Sequence, residues 1–214
     1  MSENIPFLEG HLAILRGLTE ADLDGPMVQW SNDREVTRML YRGAFPETRA
    51  TAARTMATVA ANPSEVELAI VDKATDKHIG VAGLHTMNPI AHSAEFRILI
   101  GDKDYWNGGY GTEVTQLMVA YGFEVLNMHK VWLGVTADNK GAVRCYEKVG
   151  FVHEGVLRHE TYRNRRYYDA VRMSVLRDEY DGLRDQWAIA DTLQRQFPRE
   201  PSWTAGAGAQ DHNG

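Results

Sequence analysis

The sequence has little cysteine, no excess of positive charge and no long apolar run. Cys145 is the only cysteine among 214 residues, so an intrachain disulfide framework cannot form. No apolar run approaches the roughly 20 residues that cross a bilayer, and the opening MSENIPFLEG lacks the basic and apolar regions of a signal peptide. The formal net charge of -6 gives no basic footprint for duplex nucleic acid. We therefore expect a cytoplasmic protein with neither a nucleic-acid nor a membrane partner.

The spacing of apolar residues changes several times along the chain. It predicts strands over 11–18, 66–72, 78–87, 93–100, 130–135, 151–162 and 165–176, and helices over 19–33, 47–62, the segment after Gly111, and 141–150. The order is βααβββαβαββ, and the last two strands form a hairpin. We expect one domain over residues 1–180, a helical extension over 181–197 and, from its Pro, Gly and polar content, a disordered tail over 198–214.

Three glycines in four positions precede the third helix, in YWNGGYGTEVTQLMVAYGF (105–123). Backbone N–H groups at a helix N-terminus can bind a phosphate, because the helix dipole is positive there. The lysine of a P-loop is missing, and Val114 stands where a dinucleotide fingerprint has its third glycine. A cradle for a pyrophosphate and a simple turn both remain open.

A second motif follows about 30 residues later, TADNKGAVRCYEKVGF (136–151). Together the two motifs resemble the GNAT superfamily of acyl-CoA-dependent N-acetyltransferases. The matching positions are Gly109, Gly111, Asn139, Ala142, Tyr146, Gly150 and Phe151. Trp106 departs from the pattern, since the family usually has arginine or glutamine there. AEFRILI, YGFEVLNMHKVWLGV and YYDAVRM are most similar to the branch of ribosomal-protein N-terminal and bacterial spermidine N-acetyltransferases.

The resemblance implies the fold and the co-substrate. The fold is α+β, with a mixed, mostly antiparallel central sheet that is flanked by helices and splayed between the fourth and fifth predicted strands. The co-substrate is acetyl-CoA. The residues implied to bind it are Ile98, Leu99, Ile100, Trp106, Asn107, Gly108, Gly109, Tyr110, Gly111, Thr112, Asn139, Ala142 and Tyr146.

Acetyl transfer to an amine needs a base and a proton donor. An amine with a pKa of about 10.4 must lose a proton before it attacks, and a thiolate with a pKa of about 8.5 leaves more easily when it gains one. The resemblance places Tyr146 as the general acid, whereas its helical spacing alone favours a core tyrosine. Glu95, on the polar face of its strand, is a candidate base or anchor for the substrate amine, with a solvated strand face or solvent as base as alternatives.

Other reactive side chains fit the sequence less well. Cys145 has no paired histidine and is expected to be a buried small residue. His85, His92, His153 and His159 lack the spacing of metal ligands, so we expect no metal site.

The acceptor is predicted from charge. Arg34, Arg38 and Arg42 oppose a polycation, so an amino sugar, an aminoglycoside or a protein N-terminus is favoured over spermidine. A direct attack within a ternary complex is expected. If the protein is not an enzyme, the alternative is a catalytically silent CoA-binding sensor or interaction module. A homodimer is expected from the resemblance and from the hairpin over 151–176, whose edge is costly to leave bare.

Overall fold

The structure is a computed structural model that describes residues 5–40, 43–163 and 165–199. Of the tail predicted over 198–214, residues 200–214 lie outside this description, as does Arg42.

Within the described residues, eight strands form a single sheet in the order β1-β2-β3-β4-β5-β6-β8-β7. They are β1 (Leu8–Glu9), β2 (Ala13–Gly17), β3 (Val66–Asp72), β4 (His78–Asn88), β5 (Ser93–Ile100), β6 (Lys130–Thr136), β7 (Val152–Arg163) and β8 (Arg166–Leu176). β5 and β6 are parallel, and the other neighbours are antiparallel. This mixed, mostly antiparallel sheet confirms the predicted fold class.

Six α-helices flank the described part of the sheet. They are α1 (Met27–Asn32), α2 (Arg49–Ala61), α3 (Tyr110–Glu124), α4 (Lys140–Val149), α5 (Arg177–Leu183) and α6 (Ala190–Gln196). α3 is buried along most of its length and packs on the side of the sheet that carries Phe96, which we call the α3 face. A smaller core joins Trp30 of α1 to Val81 and Leu99 on the opposite side, the α1 face.

The parallel pair β5 and β6 is short. Its register runs only from Ser93–Glu95 to Lys130–Trp132, and beyond this point the two strands are not paired. The backbone of residues 96–100 therefore faces β6 without forming strand hydrogen bonds to it. This is the splay expected between the fourth and fifth predicted strands.

Three local features differ from what the sequence predicts. The helix predicted over 19–33 is a 3-10 turn (Glu20–Asp24) followed by α1, because Gly25 and Pro26 interrupt it and proline has no N–H to donate. The two-residue strand β1 was not predicted. The extension is helical but broken, since a 3-10 turn (Arg184–Gln186) and residues 187–189 separate α5 from α6.

Candidate active site

The glycine loop folds into a left-handed turn at the start of α3. Asn107 and Gly109 have positive φ angles of 61° and 91°, and Gly109 is the N-cap of the helix. In the part of the chain that the structure describes, the backbone N–H groups of residues 109–112 have no hydrogen-bond acceptor. Unpaired N–H groups at a helix N-terminus bind anions. The loop thus has the geometry of an anion cradle.

Aromatic side chains fix this loop to the ends of β3 and β5. The Tyr110 hydroxyl donates to Asp72 Oδ1 at 2.6 Å, and the Tyr105 and Tyr110 rings meet edge to face with centroids 5.3 Å apart. Trp106 Nε1 donates to the carbonyl of Ile100 at 2.8 Å. The residue that replaces the family's arginine or glutamine therefore holds the loop against β5 and brings no charge to it.

The β5 residues implied to bind the co-substrate lie on both faces of the sheet. Ile98 and Ile100 are half-buried against the α3-face core, whereas Leu99 is buried against Trp30 and Val81 on the α1 face. The Leu99 side chain is thus used for packing, and only its backbone lies along the splay.

Most residues of the second motif form the beginning and the end of α4. Asn139 Oδ1 accepts from the Ala142 N–H at 3.3 Å and caps the helix. Gly150 ends it with a φ of 104°, and the N–H groups of Gly150 and Phe151 both donate to the Tyr146 carbonyl. Among the described residues, the Asn139 side-chain amide nitrogen has no hydrogen-bond partner, so it can donate to another group.

Tyr146 lies half-buried on the α3 face. Its ring contacts Phe96 edge to face at 6.3 Å between centroids and Phe151 at 5.8 Å. Burial raises the pKa of the Tyr146 phenol above its ordinary value. Among the described residues no group hydrogen-bonds to its hydroxyl. The phenol is therefore neutral at physiological pH and has a proton to donate.

Glu95 lies on the α1 face, because successive side chains of a strand point to opposite sides and Phe96 faces α3. Its carboxylate accepts from Arg97 Nη2 at 2.6 Å, and its side chain is 18% exposed. His85 and Trp132 are its neighbours on β4 and β6. The structure therefore does not place Glu95 beside Tyr146: the sheet lies between them, and β5 separates from β6 directly after Glu95.

A cavity of about 160 Å³ opens on the same face as Glu95, between α1, α2 and the sheet. It combines apolar side chains with two carboxylates, and its lining includes Leu18, Met27, Met56, Val81, Glu47 and Glu67. Neither carboxylate is among the residues that the sequence predicts for the site. Glu67 could have been noticed as a charged residue within the apolar strand VELAIVD.

The remaining candidate groups form no reactive centre. Cys145 Sγ is 3.4 Å from Thr112 Oγ1, and burial raises the pKa of the Cys145 thiol, which disfavours a thiolate nucleophile. Among the described residues, no three His, Cys, Asp or Glu side chains cluster as metal ligands would. A search of the same residues finds no helix that is long and apolar enough to span a membrane.

The chain is similar to known acetyltransferases. The protein-family model of the acetyltransferase (GNAT) domain matches residues 13–152. Spermidine N(1)-acetyltransferase from Vibrio cholerae is 38% identical over 111 residues, which cover 52% of this chain and 64% of that protein. The match thus spans less than two thirds of that curated relative.

Solved structures extend the likeness. A structure of spermidine N-acetyltransferase from Vibrio cholerae in complex with CoA and spermine has a TM-score of 0.73 and 30% identity, and covers 79% of this chain and 98% of that one. A dodecameric structure of the same enzyme has a TM-score of 0.68 and 32% identity, and covers 79% and 96% of the two chains. The resemblance carried by the two sequence motifs is confirmed, and the chain belongs to the GNAT acetyltransferase family.

Proposed function

We propose that this protein transfers an acetyl group from acetyl-CoA to a primary amine of a polyamine, within a ternary complex. The observation that carries the proposal is the splay between β5 and β6. It lies between a cradle of unpaired N–H groups at the start of α3 and a carboxylate-bearing surface on the α1 face.

The residues at the loop fit coenzyme A. The four unpaired N–H groups of residues 109–112 would hold its pyrophosphate without any charged side chain. Beyond Glu95, the edge of β5 that does not pair with β6 would lie along the pantetheine arm of coenzyme A. Asn139 and Ala142 would contact coenzyme A from the start of α4. When bound, acetyl-CoA supplies the activated acyl group as a thioester.

Tyr146 is the proton donor in this proposal. A neutral phenol on the α3 face would protonate the departing thiolate of coenzyme A. Glu95, on the α1 face, would anchor the attacking amine or accept its proton through water. Its ion pair with Arg97 lowers the charge available for a direct contact, which favours an indirect role.

A polyamine suits the charges of the α1 face. Glu67 and Arg97 are both Cα partners of Gly83, so Glu67 lies two strand spacings, about 10 Å, from the strand that carries Glu95. Glu95 lies two residues beyond Arg97 along β5, about 7 Å, so the two carboxylate-bearing residues are about 12 Å apart. That separation, with Met27 and Met56 beside Glu67, matches ammonium groups joined by methylene chains.

The arginines that oppose a polycation carry less weight in the structure than in the sequence. Arg34 and Arg38 are exposed, so solvent and salt screen the repulsion that their charges exert on a bound cation. The names of the similar Vibrio cholerae proteins also favour a polyamine over the monoamine expected from the sequence.

Acetyl-CoA consumption across an amine panel tests the proposal. We expect the highest kcat/KM with spermidine or spermine, and lower values with aminoglycosides, amino sugars, amino acids and short peptides. Glu67→Gln should raise the KM for spermidine by about 10-fold with little change for a monoamine. Glu154→Gln, which alters a carboxylate on the distant strand β7, is the matched control and should change neither constant.

Two results would contradict the proposal. A monoamine or peptide with the highest kcat/KM would favour the acceptor predicted from the sequence. Stabilisation by coenzyme A without turnover of any amine would favour a silent CoA-binding module.

A further inference from the structure

Glu113 is a buried carboxylate whose bonds the proposed chemistry does not use. It lies in the first turn of α3, and only 6% of the residue is exposed. Its two oxygens accept three backbone N–H groups, from His11 at 3.0 Å and from Leu12 and Ala13 at 2.9 Å each. The side chain thus joins the start of α3 to the turn between β1 and β2.

This turn also contacts the glycine loop. Glu113 donates its own N–H to the carbonyl of Gly109 at 3.1 Å, so one residue connects the turn and the N-cap. Leu12 Cδ1 lies 3.4 Å from where a Cβ would stand at Gly109, which places Leu12 over the left-handed residue. A Cβ at Gly10 would overlap the Glu113 carboxylate, so only glycine fits there. The turn and the loop are therefore packed as one unit.

The C-terminal extension holds the other side of the turn. His11 Nε2 and Asp191 Oδ1 are 3.0 Å apart. The Gln196 side chain pairs with the Glu9 backbone, accepting its N–H at 2.8 Å and donating to its carbonyl at 2.6 Å. Asp191 and Gln196 belong to α6, which lies beyond the family match over residues 13–152. α6 therefore packs a segment outside the matched region against the turn that contacts the loop.

We infer that Glu113 is a positioning residue for coenzyme A, an inference that rests on the proposed CoA-binding role of the loop. A carboxylate beside an anion-binding site is unfavourable unless hydrogen-bond donors neutralise it. Here three backbone N–H groups donate to the Glu113 carboxylate. The carboxylate holds the start of the helix against the β1–β2 turn, and so fixes where the unpaired N–H groups of residues 109–112 lie. It does not itself touch the ligand.

Glu113→Gln is the sharpest variant, because it keeps the shape of the side chain and turns one acceptor oxygen into an NH₂ group facing N–H donors. We expect the Kd for coenzyme A and the KM for acetyl-CoA to rise about 10-fold or more, while kcat changes by less than about twofold. Calorimetry and steady-state kinetics give these constants.

Glu124→Gln is the matched control, since Glu124 ends the same helix and binds Tyr180 and Arg184 there. It should lower the melting temperature without changing the Kd for coenzyme A. Equal and unchanged Kd values in both variants would overturn the inference.

If Glu113→Gln does not fold, the double variant Asp191→Asn and Gln196→Ala releases only the outer side of the turn. It should raise the same Kd by about 2-fold or more, and an unchanged Kd would overturn the inference. Failure of the wild type to bind coenzyme A would instead contradict the proposed function.

Discussion

Replacing Gly109 with alanine tests the cradle through its backbone alone. Gly109 has φ 91° and ψ -16°, a left-handed conformation that a Cβ disfavours. The nearest atom to the new Cβ is Leu12 Cδ1 at 3.4 Å, which is an ordinary contact, so strain and not a clash sets the cost. Left-handed backbone costs an L-residue about 1–2 kcal/mol. In a chain of this size that corresponds to a fall in melting temperature of about 2–8 °C.

Gly182→Ala is the control for this prediction. Gly182 lies in α5, outside the left-handed region, and nothing lies within 4 Å of a Cβ placed there. We expect its melting temperature to equal or exceed that of the wild type, because alanine favours a helix over glycine. Thermal melts with and without millimolar coenzyme A should show that Gly109→Ala also loses most of the ligand-induced stabilisation. Equal melting temperatures and equal ligand shifts in both variants would refute the reasoning.

Three further predictions concern the acid, a buried ion pair and assembly. Tyr146→Phe should lower kcat by about 10²-fold or more with the Kd for coenzyme A retained, and unchanged turnover would make Tyr146 a core residue. Burial acts to raise the pKa of Asp22, but hydrogen bonds from Arg16 and His78 outweigh it and hold that pKa below its usual range. The stability from Asp22 is therefore present above the unfolded pKa of about 3.9 and is lost as the pH falls below it. Urea unfolding between pH 3 and 7 should show a smaller acid loss in Asp22→Asn than in the wild type. The hairpin of β7 and β8, with exposed Val152 and Val156 on its edge strand, should bury this edge in a homodimer. Light scattering that gives a monomer mass at every concentration would contradict it, and a dodecamer would match the similar Vibrio cholerae structure.

Elements that depend on neighbouring residues were predicted correctly, whereas contacts between residues far apart in the sequence were not. β3 and β5 have the predicted boundaries, because alternation and flanking turn residues are local signals. β1 has only two residues and shows no pattern. The helix predicted over 19–33 is not continuous, because Gly25 ends the first turn and Pro26 begins a separate helix. The bonds of Glu113 reach about 100 residues back along the chain, to the turn before β2. No local pattern could reveal them.

The opposite placement of Tyr146 and Glu95 bears on how the proposed reaction could run. An intact sheet would separate a proton donor on one face from an amine held on the other. Here the pairing of β5 with β6 ends at Glu95, so the opening begins at the level where Phe96 contacts Tyr146 from the α3 face. An amine on the α1 face could then attack through the opening, while the thiolate leaves toward the phenol on the other side. This arrangement suits direct transfer, in which the amine adds to the thioester carbonyl and the C–S bond then breaks from the tetrahedral intermediate, with one proton lost by the amine and one gained by the thiolate. It does not require an acylated enzyme residue, and the raised pKa of Cys145, which packs beside Gly111 and Thr112, disfavours the nearby thiol in that role.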